Sequence, residues 1–371
     1  MATDATARMA LAYAPRSDHH DAILSFTEQL TAALADRPEI SATLLLRNRR
    51  GAWSTSGAEA GAPLHEALRR AGTGELALQY NPFSYGHWGL APGLLAELLA
   101  ARRRDALRRL VLVVHEPFVA MPGLRYTLMA AVQRRQLGTL MRLADVVLAT
   151  SEAWLAVLER VSPGTSVVVL PVGSNLPDRR AGRAAARAAL GASADSLIVS
   201  TFGMAHPQQL VGHVAAALEG TLEDGREIVF VSLGRAPDQI GLRHPRLTLV
   251  RPGPQDAGEL AQLLAASDLF LAPYSDGVST RRTTLMAALQ HGLCVVTTEG
   301  SHHHLALRPP ALALVAVSDR SAYAALSRAL ARDGGARARS GRAARELYER
   351  HYSWGAIAQQ FVQSIGRRPP G

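Results

Sequence analysis

The sequence predicts an α/β fold in which two doubly wound parallel sheets, each covered by helices, follow one another along the chain. Apolar stretches of four to six residues, typical of buried parallel strands, alternate throughout with longer amphipathic stretches typical of helices. The 371 residues are enough for two domains of ordinary size. Residues 171–180, which contain two prolines and a glycine, interrupt both kinds of element and form the predicted linker.

The predicted elements follow in regular order. Strands of the first half are predicted at residues 9–13, 41–46, 76–80, 110–114, 146–150 and 166–170, and helices at 21–35, 92–104, 129–143 and 152–160. Strands of the second half are predicted at 197–202, 227–233, 247–250, 269–273 and 294–298, and helices at 208–218, 257–265, 283–290 and 320–332. Two closing helices are predicted near 341–350 and from 354 to about 365. An Ala- and Arg-rich patch at 181–190 also has helical composition.

The chain contains no lysine, so all 40 of its Lys and Arg residues are arginine. Without lysine no Schiff base can form, which excludes an internal aldimine and a class I aldolase mechanism. A P-loop NTPase is excluded for the same reason. Any phosphate must therefore be held by Arg, backbone N–H groups and helix N-termini.

The remaining composition limits the cellular context and the partners. One cysteine, Cys294, excludes a disulfide framework and a cysteine-cage metal site, and we expect it to fill space in a buried strand.

No apolar run approaches the ~20 residues of a membrane span, and the N-terminus lacks a signal-peptide layout, which predicts a cytoplasmic protein. The formal net charge of +9 is spread over helices without an aromatic platform, which disfavours nucleic acid and favours an anionic small ligand or, at most, peripheral contact with an anionic membrane.

Ligands of parallel α/β sheets bind beyond the carboxyl ends of the strands, so the residues after each strand are the candidate site residues. The first strand is followed by no G-x-G-x-x-G fingerprint, which argues against an NAD or FAD enzyme. It is followed instead by Arg16, Asp18 and His19, which could bind a hydroxyl-rich substrate, although Asp18 or Asp21 could equally cap a helix beside exposed histidines.

Two later loops of the first half carry further candidates. Tyr85 and His87 stand in an aromatic, glycine-containing loop that could line an acceptor site or simply pack on the core. His115 and Glu116 directly follow a buried strand, where a histidine can hydrogen-bond a substrate hydroxyl or transfer a proton. A structural histidine is the alternative for His115.

The strongest candidate follows the strand at 269–273. A turn containing Gly277 leads into a helix that begins near Thr283 and Thr284 and carries Arg281 and Arg282 at its start. Backbone N–H groups, the helix dipole and two guanidinium groups would converge there on a diphosphate. Alternatively, Ser279, Thr283 or Thr284 is an ordinary N-cap and the two arginines are exposed to solvent in the first turn. Arginine is unfavourable at the positive end of a helix, however, which favours a binding role.

Weaker signals follow the neighbouring strands. Gly203, the pair at 234–235 and residues 251–254 each follow a strand of the second half. Residues 302–304 are three consecutive histidines, but neighbouring side chains diverge, so we expect no metal site there.

Six segments together have the pattern of one known family. They are His115-Glu116-Pro117, 144–152 (ADVVLATSE), 170–175 (LPVGSN), 266–277 (ASDLFLAPYSDG), 287–298 (AALQHGLCVVTT) and 352–354 (YSW). Through these segments the chain resembles, over nearly its whole length, the retaining nucleotide-sugar glycosyltransferases of the GT-B fold, in particular glycosyltransferase family four. Residues 276–282 (DGVSTRR) resemble a bacterial branch of that family.

The resemblance implies two Rossmann-like domains facing a cleft. Residues 1–175 would form the acceptor domain, 176–349 the nucleotide-sugar donor domain, and 350–371 a helix that crosses back to the first domain. His115 and Glu116 would be catalytic, with His115 near the donor sugar. The implied donor-binding positions are Gly203, Met204, Arg251, Gly253, Asp276, Gly277, Val278, Ser279, Arg281, Arg282, Thr283 and Thr284, and the acceptor-binding ones are Arg16, Asp18, His19, Tyr85 and His87. The nucleotide sugar would be a co-substrate, with no other cofactor and no metal.

The chain also departs from the family pattern. The usual Arg and Lys after the first strand of the donor domain are replaced by MAHPQQ at 204–209. The paired glutamates eight residues apart are absent, since Thr284 stands eight residues after Asp276, and Ser279 pairs with Ala287. We expect Arg281 and Arg282 to replace the missing cations. A pseudo-glycosyltransferase and a non-catalytic nucleotide-sugar-binding protein stay open as alternatives, as does a homodimer.

Overall fold

A computed structural model of the chain describes residues 7–15, 21–55, 61–119, 123–203, 207–234, 240–253 and 255–366. The chain divides into two compact units. The first comprises Met1–Pro171 together with Trp354–Gly371, and the second comprises Val172–Ser353. The expected domains end and resume at 175 and 350 instead.

The first unit is built on a twisted, mostly parallel sheet. Its strands are β1 (Ala7–Tyr13), β2 (Ile40–Arg47), β3 (Trp53–Thr55), β4 (Glu75–Tyr80), β5 (Arg109–Val114), β6 (Val146–Ala149) and β7 (Val167–Val169). Within the described residues they pair in the order β3-β2-β1-β4-β5-β6-β7, and β3 alone runs antiparallel. The strand order reverses between β1 and β4, which makes that gap the topological switch point.

Helices cover both faces of this sheet. They are α1 (Ala22–Ala35), α2 (Leu64–Arg70), α3 (Pro92–Arg103), α4 (Leu124–Leu143) and α5 (Leu155–Val161). Asp21 is the N-cap of α1, because its carboxylate accepts hydrogen bonds from the backbone nitrogens of Ile23 and Leu24 at 3.0 and 3.1 Å. The core between the sheet and the helices consists of Leu, Val and Ala side chains with Trp53, Tyr80 and Tyr85.

The last helix of the chain belongs to the first unit. This helix, Trp354–Gly366, packs against α1, where the rings of Trp354 and Phe26 meet edge-on with centroids 5.4 Å apart. Arg37 donates to the carbonyl of Gly355 at 2.7 Å, and Arg109 donates to the carbonyl of Ile365. The C-terminal segment is thus tied to the first unit by packing and by carbonyl-directed guanidinium groups.

The second unit contains a fully parallel sheet. Its strands are β8 (Leu197–Phe202), β9 (Ile228–Leu233), β10 (Leu247–Val250), β11 (Leu269–Ala272), β12 (Cys294–Glu299) and β13 (Leu312–Ala316). In the described part of the chain the order is β10-β9-β8-β11-β12-β13, so the switch point lies between β8 and β11. The helices are α6 (Arg183–Ala189), α7 (Val211–Leu222), α8 (Ala257–Ala266), α9 (Thr283–Gln290), α10 (Arg320–Arg332) and α11 (Gly334–His351), and the final helix of the chain is α12.

An aspartate precedes one strand of each sheet and holds the neighbouring strand. Asp145, before β6, accepts a hydrogen bond from the backbone nitrogen of Leu110 and forms an ion pair with Arg102, and both distances are 2.7 Å. Asp268, before β11, accepts a bond of 2.8 Å from the backbone nitrogen of Ile198. Arg183 and Arg187 contact the Asp268 carboxylate at 2.5 and 2.8 Å. The aspartates of segments 144–152 and 266–277 therefore have a structural role, the alignment of neighbouring strands.

Three elements were not predicted, and several bounds differ. Strand β3 has three residues and α2 has seven, too few to show a clear periodicity, and β13 is half-exposed, so that its apolar pattern is incomplete. The predicted helix at 341–350 begins at Gly334 instead, because Asp333 caps it by accepting from the backbone nitrogen of Ala336 at 2.8 Å. The helix predicted from 129 begins at Leu124. Among the described residues, no helix has both the length and the apolar character to cross a membrane.

Removing the Asp268 carboxylate should destabilise the second unit. Asp268→Ala leaves a backbone nitrogen and two guanidinium groups without their shared acceptor, so we expect a loss of about 2–3 kcal/mol in the free energy of unfolding. Urea unfolding followed by circular dichroism measures it. The control Asp195→Ala alters an exposed carboxylate and should change stability by less than about 0.5 kcal/mol. Equal stability of the two variants would contradict the assigned role.

Candidate functional site

The carboxyl edge of the first sheet contains a cleft at its switch point. The cleft has a volume of about 240 Å³ and is lined by residues that follow three adjacent strands. They are Ala14 and Pro15 after β1, Arg47, Asn48 and Arg49 at the end of β2, and Phe83, Ser84, Tyr85 and Gly86 after β4. This is the position at which open α/β sheets bind ligands.

The charge in this cleft comes from the end of β2. Arg47 donates to Glu97 of α3 at 2.7 Å, and the indole of Trp53 donates to the other oxygen of the same carboxylate at 2.7 Å. That pair balances the charge of Arg47. Arg49 is exposed and has no ion-pair partner within the described residues, so it leaves the cleft with an excess positive charge.

His115 lies directly after β5 and is buried. Its Nε2 atom is 2.8 Å from the Oε1 atom of Gln79, which places the ring proton on Nε2 and leaves Nδ1 as an acceptor. The ring of Phe26 packs edge-on against it with centroids 5.0 Å apart, and the indole of Trp154 donates to the His115 carbonyl at 3.0 Å. Burial lowers the pKa of His115 from 6.5 to about 3. The imidazole is therefore neutral at physiological pH and suited to hydrogen bonding.

Glu116, predicted beside His115 as catalytic, is exposed. Its carboxylate accepts a hydrogen bond of 3.2 Å from the amide of Asn81. Adjacent residues at a strand end point in different directions, so the two side chains do not form a pair.

The other predicted acceptor residues differ in their environments. Tyr85 is among the residues that line the cleft. Its hydroxyl is buried and donates to the carbonyl of Gln79 at 2.6 Å, and burial raises the pKa of Tyr85 well above its ordinary value. His87 is exposed and stacks on Trp88, with ring centroids 5.5 Å apart. The predicted residues Arg16, Asp18 and His19 lie outside the described residues.

In the second unit, the switch point between β8 and β11 is flanked by glycine turns. Gly203 after β8 and Gly234 after β9 have φ values of 79° and 76°, which only glycine adopts without strain. The side chain of Gln209 bridges the gap, donating to the Thr201 hydroxyl at 3.0 Å, and its backbone pairs with Tyr274.

The turn after β11 is organised around a buried carboxylate. Arg281 donates to Asp276 at 2.7 Å, and Arg282 donates to the other oxygen of the same carboxylate. Both guanidinium groups also reach the side-chain oxygen of Gln208, at 3.4 and 3.2 Å. The Arg282 guanidinium lies 3.7 Å from the centroid of the Tyr274 ring. The two arginines that the sequence assigns to a diphosphate are thus held by the protein's own acid.

The charge of this cluster is set by burial and by its arginines. Burial alone would raise the pKa of Asp276, but the positive charges of Arg282 and Arg281 outweigh it and lower that pKa below its ordinary value. His302 lies near the same carboxylate, with its Nδ1 atom 3.4 Å from Oδ2. One carboxylate against two guanidinium groups leaves a net charge of +1 beside the start of α9.

The turn is pressed against the end of β12. A Cβ atom on Gly277 would lie 2.5 Å from the backbone nitrogen of Gly300, and a Cβ on Gly300 would lie 2.7 Å from the carbonyl carbon of Asp276. The two backbones therefore touch, and both positions require glycine. Gly277 has in addition a φ of 84°.

The remaining predicted donor residues are found around this turn or apart from it. Val278 and Ser279 are buried, and the Ser279 hydroxyl has no hydrogen-bond partner within the described residues. Thr283 and Thr284 begin α9 as predicted, and the Thr284 hydroxyl is 3.4 Å from that of Tyr274. Arg251 and Gly253 follow β10 at the outer edge of the sheet, with Arg251 exposed. Met204 lies outside the described residues.

Several residues that shape these sites were missed by sequence reasoning. Gln79 lies within a strand pattern, and Gln208 and Gly300 stand far in sequence from the residues that they touch. The polar end of β2 is a signal that could have been found, because it too follows a strand. For a metal, no three His, Cys, Asp or Glu side chains come together suitably among the residues whose positions are described.

A methyl group at Gly300 should disrupt the turn. Gly300→Ala forces the backbones of 276–277 and 300 apart, at a cost of about 1–3 kcal/mol. The control Gly355→Ala places its methyl in open space and should leave stability unchanged or slightly higher. Thermal unfolding of both variants gives the comparison, and a stable Gly300→Ala protein would show that the contact is absent.

Acid should destabilise the protein partly through His115. The unfolded chain binds a proton near pH 6.5, whereas the folded imidazole resists it down to about pH 3. The stability contributed by the neutral ring is complete above pH 6.5 and is lost as the pH falls toward 3. At pH 5 the loss in the free energy of unfolding amounts to about 2 kcal/mol.

His115→Gln should therefore flatten the loss of unfolding free energy between about pH 7 and pH 5. His87→Gln, at an exposed site of the same unit, is the control and should retain the wild-type slope. Urea denaturation at each pH measures the slope. Identical slopes for all three proteins would mean that His115 titrates normally.

Comparison with known proteins supports the architecture. No model of a known protein family matches the sequence, and no curated protein is significantly similar to it in sequence. Among solved structures, the chain is similar to a sucrose-phosphate synthase from Thermosynechococcus elongatus, with a TM-score of 0.68 and 19% identity, covering 97% of this chain and 98% of that one.

Two further structures are similar along their whole length. Anabaena HepE in complex with UDP and glucose has a TM-score of 0.62 and 16% identity, covering 98% of this chain and 100% of that one. An α,α-trehalose-phosphate synthase (UDP-forming) from Burkholderia vietnamiensis has a TM-score of 0.62 and 13% identity, covering 97% and 99%. With two Rossmann-like units and these neighbours, the chain has the GT-B fold of the glycosyltransferases that it resembles.

Proposed function

We propose that this protein is a glycosyltransferase that moves a sugar from a nucleoside-diphosphate sugar to a small-molecule acceptor. The observation that carries the proposal is the net positive cluster of Asp276, Arg281 and Arg282 at the switch point of the second sheet. The GT-B fold supports it, since the structural neighbours include a protein solved with UDP-glucose.

The donor diphosphate would lie against the start of α9. The backbone N–H groups there are directed outward with the positive end of the helix dipole, and the left-handed Gly203 and Gly234 allow close approach of the backbone. Arg281, whose side chain is 22% exposed, is the more accessible of the two guanidinium groups, whereas Arg282 is 9% exposed. Arg281 would thus contact the phosphates while Arg282 maintains the turn.

In the proposed reaction, the bond between the anomeric carbon and the diphosphate oxygen breaks, and a bond from that carbon to an acceptor hydroxyl oxygen forms. The electron pair of the broken bond leaves on the diphosphate oxygen, whose developing negative charge is balanced by Arg281 and the N-terminus of α9, and that oxygen then takes up the proton of the acceptor hydroxyl. We propose retention of configuration and metal independence on the basis of the family resemblance. The neutral His115 would accept a hydrogen bond from a sugar hydroxyl through Nδ1, because a pKa of about 3 leaves the imidazole uncharged at neutral pH and Nε2 donates to Gln79.

The acceptor would occupy the cleft of the first unit. Its polar lining comes from Asn48, Arg49 and Ser84, and Tyr85 lines it as well. This replaces part of the predicted acceptor set, since the exposed His87 does not line the cleft.

A non-catalytic nucleotide-sugar-binding protein is the second candidate. The observation that favours it is the engagement of both arginines by Asp276, together with the absence of any lysine that could replace them. The two functions differ in turnover, not in binding.

A donor panel separates the candidates. Thermal unfolding with UDP-, GDP- and dTDP-sugars identifies the nucleotide that raises Tm, because a ligand that binds the folded state stabilises it. Mass spectrometry of sugar transfer and of slow donor hydrolysis then measures turnover. Binding without either reaction would favour the non-catalytic protein, and absence of binding by any nucleotide would contradict both.

Arg281→Ala should weaken nucleoside-diphosphate binding by roughly 10- to 100-fold, because a charged hydrogen bond to the diphosphate is lost. Isothermal titration with the diphosphate identified by the panel measures the affinity. Arg308→Ala removes the same charge from an exposed site of the second unit and should bind normally. If Arg281→Ala lowers stability yet binds with unchanged affinity, the arginine serves only to neutralise Asp276.

A further inference from the structure

The outward face of α4 is apolar, although the helix belongs to a well-packed unit. Leu124, Leu128 and Val132 follow one another at four-residue spacing and are 77%, 62% and 51% exposed. Residues at this spacing lie on one side of a helix, so they form a continuous stripe. Isolated exposed leucines need no explanation, but a contiguous apolar stripe does.

The opposite face of α4 is fixed by buried contacts. Gln133 accepts a hydrogen bond from the backbone nitrogen of Val119 at 2.8 Å and donates to the carbonyl of Trp88 at 2.9 Å. Gln136 accepts from the backbone nitrogen of Ala91 at 2.7 Å. Rotating the helix to bury its stripe would break these bonds, so the stripe is exposed as a consequence of the fold.

The loop before α3 extends the apolar surface. Trp88 is 50% exposed and Leu90 is 39% exposed. The loop that carries them is held beside α4, because Gln133 bonds the carbonyl of Trp88 and Gln136 bonds the backbone nitrogen of Ala91. Trp88 has a φ of 57°, a left-handed conformation that is unusual for a large aromatic residue. We call the five side chains Trp88, Leu90, Leu124, Leu128 and Val132 the α4 surface.

All the Lys, Arg, Asp and Glu residues of α4 and of the loop at 86–91 are arginine. Arg125, Arg134 and Arg135 are exposed, and within the described residues none of them forms an ion pair. Arg125 lies over the Trp88 ring at 4.4 Å, and Arg134 lies over the Phe118 ring at the same distance. Neither the residues of α4 nor those of the loop at 86–91 include Asp or Glu. On a helical wheel, Arg125 and Arg134 flank the stripe on its two sides.

We propose that the α4 surface docks this protein on an anionic lipid bilayer, with α4 lying in the plane of the headgroups. A helix with an exposed apolar stripe, flanking arginines and no acid suits an anionic interface, into which the leucines and an indole insert while the guanidinium groups contact lipid phosphates. The proposal is independent of the proposed glycosyl transfer, because it uses neither the cleft nor the cluster at Asp276.

A second copy of the chain fits the same surface less well. In a twofold dimer each patch meets itself, so the arginines of one copy would face those of the other with no acid on α4 to balance them. The charge pattern therefore favours an anionic partner over self-association.

Vesicle flotation of the full chain tests the proposal. Vesicles of phosphatidylcholine with about 30% phosphatidylglycerol should carry the protein, whereas phosphatidylcholine alone should not, and about 0.5 M salt should weaken the binding. The double variant L124Q/L128Q should lower the bound-to-free ratio at least about tenfold. R134Q/R135Q should lower it about fivefold per arginine.

Matched controls lie elsewhere on the surface. Leu305→Gln replaces a leucine that is 76% exposed in the second unit, and R342Q/R350Q removes two exposed arginines from α11. Both controls should float like the wild type, and circular dichroism should show all variants folded. Equal binding by L124Q/L128Q, equal loss in the controls, or no flotation with anionic vesicles would each overturn the proposal. Light scattering that shows a dimer dissociated by L124Q/L128Q would assign the surface to a second copy and overturn it as well.

Discussion

The geometry of the second unit depends on one buried negative charge. Asp276 lies at the carboxyl edge of the sheet, where an isolated carboxylate would be costly, and two consecutive arginines neutralise it from the start of α9. Their position fixes the turn, directs Gln208 toward it, and stacks Arg282 on Tyr274. The arginines are thereby placed before any ligand arrives, and the charge left over after neutralisation is what an anion would meet.

In the first unit the buried ionisable group is neutral, whereas Asp276 in the second unit is charged. Burial among Phe26, Gln79 and Trp154 lowers the pKa of His115 and keeps it neutral, because it outweighs the charge of Asp21, which raises that pKa. A fixed neutral imidazole is a hydrogen-bonding group of defined polarity, whereas the cluster at Asp276 is a source of charge. The two strand ends thus offer different chemistry for the same physical reason, the desolvation of a side chain at the edge of a sheet.

The strand-anchoring aspartates and the candidate site residues lie at opposite ends of the sheets. Asp145 and Asp268 anchor neighbouring strands at the amino ends, and the cleft and the glycine turns lie at the carboxyl ends. The aspartates of the repeated motif therefore align strands. Because the strands are aligned at their amino ends, the loops at their carboxyl ends can vary in sequence. The departures of this chain from the family pattern lie in those loops.

The sequence by itself determined the alternation of strands and helices, most of their bounds and the start of α9, because these follow from local periodicity and capping. It also located the turn at 276–282 and the position of His115 at the end of a strand, since strand ends are visible as changes of polarity. Only the tertiary structure decided that Arg281 and Arg282 bind Asp276, that Gly277 requires Gly300, and that Gln79 holds His115. These are contacts between segments brought together by the sheet, and pairing across a sheet leaves no periodic trace in the chain.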